Sequence, residues 1–149
     1  MNKLAQKEEF YPCVCTGIDN LEGLLEEFRR VSAFMAIEDT NDGSTERRSG
    51  GFFRKRVFTI FLLKRYTYDD MEDRAKALDI CRQLFRQIHS RLLQAKESEG
   101  DLQYMNVEQI YSRELSRYFL SGCTGLYFMV EVSEPINLVY NTAEWDETE

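Results

Sequence analysis

The sequence predicts an α+β domain: a mostly antiparallel sheet of about four strands with two helices packed on one face, in the order α-β-β-α-β-β. Three observations predict it. Apolar residues recur at helical spacing over about residues 20–31 and again over about 26 residues from Met71. Apolar runs of strand length, Phe52 to Tyr66 and Leu126 to Ser133, lie between and after them. Polar, turn-forming stretches separate the two kinds of segment. With 149 residues, 43% of them hydrophobic and 13% aromatic, the chain has the size and apolar content of one packed domain, read as residues 1–149.

Residues 1–17 carry no clean period and are expected as an extended N-terminal arm that includes Phe10, Tyr11, Val14 and two cysteines. Asp19 with Glu22 has the form of a capping box, and Leu21, Leu24, Leu25, Phe28 and Val31 follow at helical spacing. Ser32 to Glu38 is a short apolar strand, and the turn formers from Asp39 to Gly51 predict a mobile loop over 39–51. In the next strand, Val57 to Leu63 is apolar on both faces, as suits the centre of a sheet.

Asp69 and Glu72 offer a cap to the long helix, where Met71, Ala75, Leu78, Leu84, Phe85, Ile88 and Leu92 mark one face. Leu102 to Tyr111 reads as a strand, and Ser112 to Ser121 as either a helical turn or an irregular extension. Leu126, Phe128, Val130 and Val132 alternate onto one face of the last strand, which Pro135 is expected to stop. An apolar patch from Ile136 to Tyr140 precedes an acidic tail over 142–149.

The formal charge of −7 argues against general affinity for nucleic acid, and no nucleic-acid partner is expected. That average hides an asymmetry. Residues 46–66 hold seven cations (Arg47, Arg48, Arg54, Lys55, Arg56, Lys64, Arg65) against Glu46, a segment charge of +6, so the remainder carries −13. The longest apolar run, Val57 to Leu63, is far short of the roughly 20 residues of a membrane span, and the first nine residues lack the apolar stretch of a secretion signal. A reducing compartment is the expectation, with Cys13, Cys15, Cys81 and Cys123 as free thiols.

Three constellations bear on chemistry, each with a plainer structural explanation. Cys13 and Cys15 form a C-x-C pair, but a closed zinc site wants four ligands and only Cys81, Cys123 and His89 remain to supply them. Cys123, between Gly122 and Gly125, has the look of a nucleophile on a tight bend, with His89 the only histidine to activate it, although a glycine-flanked bend into a strand needs no catalysis. Asp69, Asp70, Glu72 and Asp73 have the makings of a metal-dependent nuclease site, or of an acidic helix start that complements exposed N–H groups. P-loop, dinucleotide, zincin and serine-hydrolase signatures are absent. No catalytic residue, metal or cofactor is therefore assigned.

The expected interaction site is the basic loop and strand: Arg47, Arg48, Phe52, Phe53, Arg54, Lys55 and Arg56. Interleaved cations and aromatics suit a grip on an acidic protein surface better than on nucleic acid, given the −13 elsewhere. The layout of helix, strand, polar loop, strong central strand, long amphipathic helix and late strands ending in Phe-Met-Val-Glu-Val-Ser-Glu-Pro-Ile-Asn-Leu-Val-Tyr-Asn141 resembles the tail-terminator and tail-completion proteins of long-tailed bacteriophages and prophages over residues 18–141. That resemblance implies a non-enzymatic assembly protein that forms a ring-like homo-oligomer and contacts other structural proteins, in a bacterial cytoplasm or a virion. An adaptor using the same basic loop, a Cys123 hydrolase and an Asp69–Asp73 nuclease are the alternatives.

Overall fold

The computed structural model describes residues 10–98, 100–116 and 122–145. Its elements in chain order are β1 (Phe10–Cys15), α1 (Gly17–Glu27), β2 (Ala33–Glu38), β3 (Asp42–Arg48), β4 (Gly51–Arg65), α2 (Met71–Ser98), β5 (Met105–Glu114) and β6 (Cys123–Ile136), with 3-10 turns at Gly100–Leu102 and Thr142–Glu144. The α+β class is as expected, but six strands occur among the described residues. They form one sheet in the order β1-β2-β4-β6-β5, with β3 paired to β4. One pair, β1 with β2, is parallel, and the others are antiparallel.

The added strands come from the segments expected as an extended arm and as a mobile loop. β1 lies within the expected arm and pairs in register with β2, from Phe10 opposite Ala33 to Cys15 opposite Glu38. β3 lies within the expected loop and pairs with the first half of β4. β6 follows β4 from Phe52 opposite Ile136 to Arg65 opposite Cys123, so β2 and β3 share the other edge of β4 end to end. Pro135 does not end β6; it sits within the strand opposite Phe53. The end of the ambiguous stretch, residues 117–121, lies outside the described residues.

The two helices lie on opposite faces of the sheet, which corrects the one-sided arrangement. Leu21 and Leu25 of α1 pack with Phe34, Ala36, Phe61, Leu63 and Cys123. Cys81 and Leu84 of α2 pack with Leu62, Leu126, Phe128 and Val130. Alternate residues of β4 thus enter two different cores. The reason is topological. The units β1-α1-β2 and β4-α2-β5 both step across the sheet in the same direction, yet β4 runs antiparallel to β2. Two crossovers of the same hand, which right-handed connections nearly always are, must then put their helices on opposite sides. Among the described residues no helix is long and apolar enough to cross a membrane.

Candidate interaction surface on the hairpin

β3 and the first half of β4 form a hairpin closed by two residues, Ser49 and Gly50, between Arg48 and Gly51. Gly51 takes a φ of +123°, a conformation that favours glycine. The hairpin extends beyond the cover of the helices. Every residue of β3 is exposed, and in β4 full burial begins only at Phe61.

The seven residues expected to act together are sorted by the pleat onto two faces. Arg47 lies opposite Phe52, and the alternation places Arg54, Arg56, Glu134 and Ile136 on that same face, the one α2 covers farther along β4. Arg48, Phe53 and Lys55 lie on the other face with Asp42, Glu46 and Glu131. On the first face Arg47, Arg54 and Arg56 against Glu134 leave a formal +2; on the second, Arg48 and Lys55 against Asp42, Glu46 and Glu131 leave −1. The basic segment is basic on one side only.

Local partners sharpen that division. Lys55 Nζ lies 3.2 Å from Glu131, Arg56 Nη2 lies 3.1 Å from Glu134, and Arg48 pairs with Glu46. Arg47 and Arg54 have no carboxylate partner among the described residues. The Arg47 guanidinium sits 5.6 Å from the centre of the Phe52 ring, an exposed cation on an exposed aromatic. Arg47, Phe52 and Arg54 are therefore the groups available to an outside partner. The neutralising acids of β6 escaped sequence reasoning, because only the strand register shows which cation each one meets.

Arg65, counted with the basic segment, has a structural task. Its guanidinium donates to the carbonyls of Val31 (2.8 Å), Phe28 (3.3 Å) and Leu25, and lies 5.4 Å from the centre of the Phe34 ring. A cation there gives the carbonyls at and behind the end of α1 a charged donor and offsets the negative end of the helix dipole.

The structure separates the residues of the hydrolase reading. Cys123 is buried in the core on the α1 side. His89 stands on α2 across the sheet, stacked on Phe85 with its Nε2 2.6 Å from the Val107 carbonyl oxygen. Burial pushes the Cys123 thiol above its ordinary range, against a smaller opposite effect of Arg65. Ser121 of the same motif lies outside the described residues. Gly125 is required by packing, since a Cβ there would fall 1.9 Å from the Leu62 carbonyl oxygen.

The acidic run before α2 is a helix cap. The Asp70 carboxylate accepts from the Asp73 N–H (3.0 Å), and the Asp73 carboxylate accepts from the Thr67 N–H (2.6 Å), which holds the Asp73 carboxyl below its usual range. No group of three or more potential metal ligands occurs among the described residues. Comparison with protein-family models, curated proteins and solved structures finds no match to this chain.

Proposed function

We propose that this chain is a non-enzymatic assembly protein of the phage tail-terminator or head-tail joining kind, acting through protein contacts made by the β3–β4 hairpin. The observation that carries the proposal is the sorting of charge on that hairpin. It presents Arg47, Phe52 and Arg54 on one exposed, net basic face, while the rest of the chain is strongly acidic. A protein with two unlike surfaces associates head to tail, and such contacts close into rings when the rotation between subunits permits. The contact would be strengthened at low ionic strength, because exposed charges are screened within about 10 Å at 0.1 M salt.

Sedimentation of the purified chain over a range of concentrations tests this. Assembly beyond a dimer that weakens as salt is raised is expected. A monomer at high concentration and low salt would count against self-assembly, and would shift the hairpin's partner to a different acidic protein.

A further inference from the structure

The residues after β6 form a strap whose large apolar side chains are exposed. Asn137 Oδ1 accepts from the Val139 N–H at 3.0 Å, and Asn141 Oδ1 accepts from the Ala143 N–H at 3.2 Å. Asn141 Nδ2 donates to Glu144 at 3.1 Å, and the Tyr140 and Trp145 rings stack with centroids 6.4 Å apart. Side-chain amides that hold neighbouring backbone groups give the strap a defined local shape. Yet Leu138, Val139, Tyr140 and Trp145 are 53%, 81%, 61% and 63% exposed. The last six residues of the sequence carry four carboxylates, Glu144, Asp146, Glu147 and Glu149.

A segment that is apolar, aromatic and acidic matches the basic face of the hairpin, where Arg47 and Arg54 make no ion pair among the described residues, Glu134 being held by Arg56, and Phe52 lies open beside Ile136. One open hollow on the opposite hairpin face is a poorer seat. About 450 Å³ in volume, it is bounded by Asp42, Glu131, Val57, Tyr111 and Met129, so its two carboxylates would repel an acidic strap.

We infer that the strap of one copy, Leu138 to Trp145, docks on the Arg47, Phe52 and Arg54 face of a second copy's hairpin. Leu138 and Val139 cover Phe52, and Glu144 meets the two arginines. This deepens the assembly reading, on which it rests, by naming the segment that fills the hairpin site. The contact is heterologous: each copy offers one strap and one hairpin face.

Trp145 is the sole tryptophan of the chain, so its emission reports the strap directly. In the full-length protein the emission should shift to the blue as concentration rises and the oligomer forms. Arg47→Glu with Arg54→Glu should abolish that shift and raise the apparent dissociation constant about tenfold or more. Leu138→Asp with Val139→Asp should also give a monomer at concentrations where the natural chain assembles. All four positions are on the surface, and an unchanged melting profile confirms that the variants fold.

Mixing the two variants is the decisive arm. One retains an intact strap and the other an intact hairpin, so together they should form a two-copy complex and grow no further. Assembly of the strap variant like the natural chain would overturn the inference while leaving the assembly reading standing. Failure of the mixed variants to pair, or a blue shift independent of concentration, would likewise reject docking between copies. A natural chain that stays monomeric with red-shifted emission would overturn both.

Discussion

Two residues show how single side chains carry the fold. Arg65 reads in the sequence as one more cation of a basic strand, but it serves three carbonyls around the end of α1 and packs on Phe34. Arg65→Met keeps the aliphatic stem and removes the donors, so the carbonyls of Leu25, Phe28 and Val31 lose a charged partner. A loss of about 2–3 kcal/mol is expected in denaturant unfolding, since hydrogen bonds from charged groups contribute about 1.5–3 kcal/mol; a change within 0.5 kcal/mol would contradict this role. Gly125 was legible only as part of a bend. With a φ of +152° and the Leu62 carbonyl in the place of its missing Cβ, it lets β6 lie against β4. Gly125→Ala should therefore cost at least about 2 kcal/mol or prevent folding, through overpacking and backbone strain.

At the scale of elements, legibility followed hydrophobic pattern. β4, α2 and the heart of β6 bury apolar residues at a regular period, so their positions were readable. β3, with the sequence Asp-Gly-Ser-Thr-Glu-Arg-Arg, has no apolar residue and no buried face, and its strand form depends on a partner strand far more than on its own composition. β1 was obscured because its outward residue Val14 is 63% exposed while Cys15 is buried, a mixed pattern over only six residues. The cap of α2 was legible in kind but displaced by one residue, because Asp69 takes a left-handed φ of 61° and leaves capping to Asp70. Asp70→Ala should cost about 1 kcal/mol, as loss of an N-cap usually does. A thermal melt of the variant checks this, and an unchanged melting temperature would refute the assignment.

For the whole molecule, the strand apolar on both sides was the telling sign, since a layer with helices on one face cannot use it. Phe61 and Leu63 need α1 while Leu62 needs α2, so β4 already demanded cover from two directions. The candidate surface was half legible: the cluster of cations could be counted, but its division between faces, and the neutralising Glu131 and Glu134, follow from register alone. Cys15 and Cys123 lie in the α1-side core with Cys13 packed against it, and their burial predicts a fold that loses stability in alkali. Desolvation chiefly, with smaller effects from Glu38, Cys13 and Asp39, pushes the Cys15 thiol up to about 11, and burial raises Cys13 and Cys123 as well. An unfolded chain releases thiol protons near pH ~8.5, while the folded chain still holds them. The unfolded state then binds fewer protons, so stability is full below that pH and falls as pH rises towards about 11 for Cys15. Denaturant unfolding between pH 7 and 11 should show this decline. Cys15→Ala should lower stability at neutral pH through the small cavity it leaves, but give a shallower decline above pH ~8.5, because one proton fewer is released on unfolding. Parallel declines in the two proteins would mean that burial of this thiol does not govern the alkaline loss.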